Sequence, residues 1–459
     1  MKKLLINFLL MSISILIISV NVYAQNAIWG WGRNQYGQIG DSTTVESHVP
    51  LQTHLYTDIA DLEAGQFFSL ALSSDSTVWG WGRGFWGQLG NNSYDQQVEP
   101  TQTLFPHTTI ALAAGGFHSL ALTQSGNIFA SGRNSDGQLG DGTIFGSSEP
   151  LQTDDIYNAI AIDAGNLFSI ALIADSTVKA WGNNTSGELG TGDNNERWTP
   201  TSVLNISKII AIAAGTSHCL ALQDDGTVWA WGDNAFGQLG DSTTIDSNVP
   251  IQVNDLTDII AISAGWGFSL ALKEDGSVWS WGWNESGQLG INSNENKYEP
   301  VQVNTLSNVV NITAGSSHAL AIQSDSTLWA WGDNYFGQIG DDTTQDKLEP
   351  VQVDVLFNTQ LISASWHSLA FARHCTGVDD DPQHNIDKQI LVYPNPFHHE
   401  CTITFSQNMN IIHEINIFDT KGRLLDQTYD TMVGRNLSPG VYFIKVENLP
   451  PVKILKISE

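Results

Sequence analysis

The stretch Thr227-Val228-Trp229-Ala230-Trp231-Gly232-Asp233-Asn234-Ala235-Phe236-Gly237-Gln238-Leu239-Gly240 decides the fold, because it recurs. Gly-Gln-Leu-Gly or a near variant begins at Gly37, Gly87, Gly137, Gly187, Gly237, Gly287 and Gly337, seven positions 50 residues apart without a slip. A second marker is Ala-Gly ahead of a Ser-Leu-Ala-Leu-like run, with its glycine at 65, 115, 165, 215, 265 and 315. The last copy, Ala364-Ser365-Trp366-His367-Ser368-Leu369-Ala370-Phe371, is one residue shorter. A fixed period of this length marks units that bury their apolar faces only against neighbouring copies.

Each unit reads as four short strands. Around residue 260 they are Pro250 to Val253, Ile259 to Ser263, Phe268 to Lys273 and Ser277 to Gly282, with a tight turn at Glu274-Asp275-Gly276. Four-stranded units in radial repetition predict an all-β, seven-bladed propeller. On this phasing the chain starts on a fourth strand, Ile28 to Gly32, and ends on a third, His367 to Ala372. Six blades would then run from about 49 to 332, and the seventh would join residues 349 to 372 to residues 27 to 33. Such closure removes the exposed sheet edges.

The units resemble regulator-of-chromosome-condensation repeats. The resemblance rests on Ala214-Gly215, His218 to Leu222, Asp225 to Gly232 and Gly237 to Gly240, repeated in kind along residues 27 to 372. It implies a seven-bladed propeller and leaves function open: relatives include a guanine-nucleotide exchange factor, a plant photoreceptor and a secreted inhibitor of β-lactamase.

The flanks concern export. Lys2 and Lys3, the apolar run Leu4 to Val20 and Val22-Tyr23-Ala24 read as a signal peptide over 1–24, with no membrane span after its cleavage. The propeller is expected over 25–372, a linker with Asp379-Asp380-Asp381-Pro382 over 373–389, and a further domain over 390–459. Alternating runs there suggest a small immunoglobulin-like β-sandwich. Its sequence is similar to C-terminal sorting domains of type IX secretion substrates. The matching stretches hold Pro394, Asn395, Pro396, Gly422, Gly440, Tyr442 and Lys453. That resemblance implies a Gram-negative host, the type IX machinery as a partner, and a secreted or outer-surface location.

The net charge of −29, from 19 Lys and Arg against 48 Asp and Glu, repels phosphate backbones and argues against nucleic acid. Residues 390–459 are nearly balanced, six basic against seven acidic, so the propeller and linker carry the excess. Three cysteines, Cys219, Cys375 and Cys401, make no disulfide framework and no zinc motif; the pairing of the last two stays open. No cofactor or metal is expected, and a monomer is.

Repetition separates structure from chemistry, because a catalytic residue should be singular. His118, His218, His318 and His367 alternate with Phe68, Phe168 and Phe268 at one position, so that position packs. The pairs Trp79/Trp81, Trp229/Trp231, Trp279/Trp281 and Trp329/Trp331 read as packing between blades. Asp225-Gly226 and Asp75-Ser76 are turns. Asp41-Ser42-Thr43, Asp175-Ser176-Thr177 and Asp325-Ser326-Thr327 also resemble a bacterial O-glycosylation pattern.

What varies between units is the candidate site. Tyr36, Phe85, Trp86, Phe236, Tyr335 and Phe336 precede Gly-Gln-Leu-Gly where other units carry Ser, and Phe117 and Trp266 follow Ala-Gly. Aromatics that the repeat does not require are candidate binding anchors. The leading expectation is a non-enzymatic extracellular module that binds a protein or glycan. An alternative is a glycan-degrading enzyme with acids converging on the propeller channel. Guanine-nucleotide exchange ranks last, since export removes its substrate.

Overall fold

The computed structural model describes residues 27–374 except Tyr56, together with seven strands of the C-terminal region. The signal peptide and the linker lie outside the described residues. Two compact units result, residues 1–375 and 376–459. Seven four-stranded antiparallel sheets make the first, so the all-β propeller is observed. Among the described residues there is no helix long and apolar enough to cross a membrane.

Blade 1 shows the plan: Ile59–Ala64 innermost, then Phe68–Ser73, Val78–Gly82 and Gln97–Gln102 at the outer edge. Blades 2 to 6 repeat it at 50-residue steps, up to Lys347–Gln352. Blade 7 joins Leu356–Ala364 and His367–His374 to Ala27–Gly32 and Ser47–Gln52. Trp29 sits opposite Ala370 across that junction.

The phasing expected from sequence is therefore shifted by one strand. The segment with Pro250, Ser247–Gln252, is the outer edge of blade 4 and not the start of blade 5, because Trp229 pairs with Gln252 and Ala230 with Ile251. Six continuous blades run from 59 to 352, and each end of the chain gives two strands to the closing blade. The proline, which lacks an N–H, fits either edge of a four-stranded sheet, so it marks an edge strand without choosing the blade; the pairing with Trp229 and Ala230 chooses it.

Each blade presents large side chains to small ones. Phe268, Leu270 and Leu272 of blade 5 pack on Ala319, Ala321 and Trp331 of blade 6. Ala271 and Trp281, on the other side of blade 5, meet Leu220 and Leu222 of blade 4. The second strand is thus buried on both faces, which explains a run with no exposed polar alternation.

The recurrent loop is a latch between blades. Gly187 has φ +87°, and a Cβ there would stand 2.6 Å from the Asn248 Cα of the next blade's edge. Leu189 is fully buried, and its N–H donates to Asn184 Oδ1 at 2.9 Å. Gly187→Ala therefore meets both a left-handed backbone and a backbone clash. It should lower stability by about 2 kcal/mol, measured by denaturant unfolding, against no loss for Gly142→Ala, where the nearest atom is 3.6 Å away, beyond its own positive-φ cost of about 1 kcal/mol.

The aspartate–serine segments are turns as read. Ser42, Ser176 and Ser326 have φ of 69°, 66° and 67°, and Thr177 Oγ1 donates to Asp175 Oδ1 at 2.6 Å. The C-terminal unit contains two antiparallel sheets. One holds Ile390–Tyr393, Cys401–Phe405 and Met432–Val433; the other Leu424–Thr428, Ile415–Asp419, Gly440–Val446 and Val452–Lys456. Gly440, Tyr442 and Lys453 fall on its last two strands, whereas Pro394, Asn395, Pro396, Gly422 and Cys375 lie outside the described residues.

Candidate binding face

Strand direction places two sets of loops at the same end of the propeller. The turn after each innermost strand and the long loop after each third strand both open there. The variable aromatics chosen from sequence sit on those two loops and meet: Tyr36 and Phe67 have ring centroids 5.5 Å apart, Phe236 and Trp266 5.6 Å. They form two groups. Tyr36, Phe85, Trp86 and Phe117 gather on blades 7, 1 and 2, and Phe336, with Tyr335 beside it, joins them from blade 6. Phe236 and Trp266 form a separate group with Trp283, whose ring is 4.9 Å from that of Trp266. Phe85, Trp86, Trp266 and Tyr335 are exposed.

The first group carries arginines that the motif reading missed. Arg33 lies 4.8 Å from the Phe336 ring, 5.0 Å from Phe67 and 5.2 Å from Trp366. Arg83 stands 5.1 to 5.6 Å from Tyr36, Phe85, Phe67 and Phe117, and Arg133 5.6 Å from Trp86. Cations and rings thus alternate along an arc of three adjacent blades, each guanidinium attracted by ring quadrupoles. The sequence signal was present: Trp-Gly-Arg at 31–33 and 81–83 and Ser-Gly-Arg at 131–133, three of the five arginines between 27 and 374.

The histidines are internal braces. His118, His218, His318 and His367 are fully buried, and their Nε2 atoms meet Ser169, Ser269, Ser368 and Ser69 of the next blade at 2.7 to 3.0 Å. Each serine hydroxyl donates to a backbone carbonyl, as Ser269 does to Gln238 O at 2.9 Å. The serine therefore accepts, and Nε2 carries the imidazole proton. Burial pushes all four imidazoles down to about 3, so they stay neutral.

The channel of about 330 Å³ along the axis collects acids, as the enzymatic alternative requires. Glu63 and Asp163 line it at a position that is Ala, Ser or Thr in the other blades, and Asp61 lies two residues before Glu63. Burial raises all three, Asp163 to about 6, and Glu63 is raised further by Asp61 and Asp163. Yet Asp163 Oδ2 accepts the Ala214 N–H at 2.8 Å, the bond that Ser263 Oγ makes to the Ala314 N–H at 2.9 Å. Asp61 makes a different bond, accepting the Leu112 N–H at 2.8 Å, at a position where no other blade carries Ser. One of the three acids thus does work that a serine does elsewhere.

Comparison with known families agrees with this architecture. Residues 25–72, 75–122 and 175–222 match the regulator of chromosome condensation (RCC1) repeat, residues 110–138 a second description of that repeat, and residues 204–377 the RCC1-like domain. The chain is an RCC1-repeat propeller. Residues 391–457 match the secretion system C-terminal sorting domain, so the tail is of that family. No curated protein sequence matches the chain. Among solved structures, human WBSCR16 superposes with a TM-score of 0.70 at 24% identity, over 76% of this chain and 99% of that one. The yeast RCC1 protein Prp20, solved with Kap60 bound, gives 0.70 at 22% identity over 76% and 89%. At such identity the likeness is one of fold.

Proposed function

We propose that the protein is an exported, non-enzymatic binding module, carried out of the cell by its sorting domain through the type IX route. Its loop face takes an extracellular partner. The observation that supports this is the arc of exposed aromatics and arginines on blades 6, 7, 1 and 2. The repeat does not need it, since Thr185, Ser186 and Ser286 fill the same loop positions in blades 3 and 5. Amphipathic aromatics and arginine are the side chains that dominate interface energies.

The test is capture from host-surface extracts by the mature protein. Trp86→Ala with Phe336→Ala should lose the partner captured by the native chain, each substitution weakening it by about tenfold. Equal capture by native and double variant, both folded, overturns the reading. Glu63→Gln, which alters the channel alone, should leave capture unchanged.

A further inference from the structure

The arginine blades differ from the others in their hydrogen-bond acceptors. One loop position reads Arg33, Arg83, Arg133, Asn183, Asp233, Trp283 and Asp333 around the ring. Where it is Asp, it satisfies the glutamine of the latch: Gln238 Nε2 donates to Asp233 Oδ2 at 3.0 Å, and Gln338 Nε2 to Asp333 Oδ2 at 2.8 Å. The glutamine amides are oriented by their other end. Gln38 Oε1 accepts the Tyr36 N–H at 3.0 Å, and Gln88 Oε1 the Trp86 N–H at 2.9 Å.

Where the position is Arg, the acceptor is missing. Nε2 of Gln38, Gln88 and Gln138 and Nε of Arg33 and Arg83 are all buried without a partner. Gln288, below Trp283, shares this condition singly. Among the described residues no carboxylate lies within ion-pairing distance of Arg33 or Arg83, whereas Arg133 reaches Asp136 at 3.4 Å. Three adjacent blades of a chain with net charge −29 thus hold five orphan donors, two of them on guanidinium groups without an ion pair. Each buried donor left unmade costs about 1–3 kcal/mol, which an incoming acceptor would relieve.

Resting on the reading of this face as the binding site, we propose that Arg33 and Arg83 receive the carboxylates of an acidic peptide segment of the partner. The missing group is a carboxylate because Asp233 and Asp333 hold one at the same position in blades 4 and 6. The source is a peptide because the orphan glutamine amides are fully buried, at the place that an Asp side chain reaches in blades 4 and 6. A carboxylate must arrive there on a slim arm, which an Asp or Glu side chain provides and a ring-bound uronate does not. The fork of each guanidinium suits a carboxylate bidentately, and the Phe67, Phe85 and Phe117 rings flank Arg83 at 5.3 to 5.6 Å.

The test uses the mature chain and a short fluorescent oligo-glutamate, followed by polarisation. The native protein should bind it, and added salt should weaken binding. Arg33→Gln with Arg83→Gln should weaken it about tenfold or more, while Arg197→Gln, whose arginine already pairs with Asp193 at 2.8 Å, should not. Arg83→Asp supplies in cis the acceptor found in blades 4 and 6. It should fold at least as stably as the native chain and lose the peptide. Absence of oligo-glutamate binding, binding indifferent to these substitutions, or binding of oligogalacturonate in place of the peptide overturns the inference. If the aromatic substitutions abolish partner capture while the arginine substitutions preserve it, the binding face stands and the acidic ligand falls.

Discussion

Lowering the pH from 7 to 5 should cost the propeller about 2 kcal/mol for each of its four buried histidines, about 8 kcal/mol in all. An imidazole held at about 3 in the folded chain, against about 6.5 unfolded, takes up its proton in this range only after unfolding. The histidine contribution is therefore complete above pH ~6.5 and is lost as pH falls toward 3. The channel acids act in the opposite sense. Asp163, raised to about 6, and Glu63, raised well above its ordinary range, add stability as pH drops through their folded values and offset part of the loss. Replacing His118, His218, His318 and His367 with Phe isolates the two. The column accepts Phe, since Phe68, Phe168 and Phe268 are buried there already, and the serine partners keep their carbonyl bonds. Guanidinium unfolding at pH 7 and 5 should show the native chain less stable at pH 5. The fourfold variant should show a pH response about 8 kcal/mol more favourable. An unchanged response would mean that these imidazoles are not held neutral by burial.

Trp231→Ala should destabilise the propeller by about 4 kcal/mol. The indole is fully buried between blades, among Phe168, Ile170, Leu172, Cys219 and Ala221. Its Nε1 donates to Glu188 O at 2.8 Å, so the substitution opens a cavity and leaves a buried carbonyl poorly satisfied. Trp229, half-buried two residues earlier, donates only to the Gln223 side chain at 3.0 Å. Trp229→Ala should cost about half as much, and denaturant midpoints would rank the pair. The chain records how the deeper site can be lost. Blade 2 carries Ser131 there, and Phe105 fills the space, with Phe105 Cε2 and Ser131 Oγ being the atoms nearest a Cβ built at Gly90. A Trp231→Ala protein as stable as Trp229→Ala would show that the inter-blade contact is dispensable.

Internal repetition made much of this legible. Phe at three of seven positions in one column identified His218 and its counterparts as packing residues, and the same comparison assigned the tryptophans to architecture. The blade phase was misread because Ser247–Gln252 is close in sequence to two blades and pairs with only one. The aromatic positions were found because they vary. The arginines were passed over because a residue at the end of a strand gives no sign of which rings it will cross.

Periodicity, strand patterning and turn glycines determined by themselves that this chain is a seven-bladed propeller, while the sorting domain was read from the resemblance of residues 390–459 to a known family of tails. Those are local or repetitive features, and repetition turns a local rule into a global one. Only the tertiary structure decided the rest. It set which strands share a blade, that Asp163 does the work of a serine, and that Arg33 and Arg83 lie among rings with no carboxylate at ion-pairing distance. The last two depend on contacts across blades between residues about 30 to about 300 positions apart. Ring closure, and not chain proximity, brings those residues together.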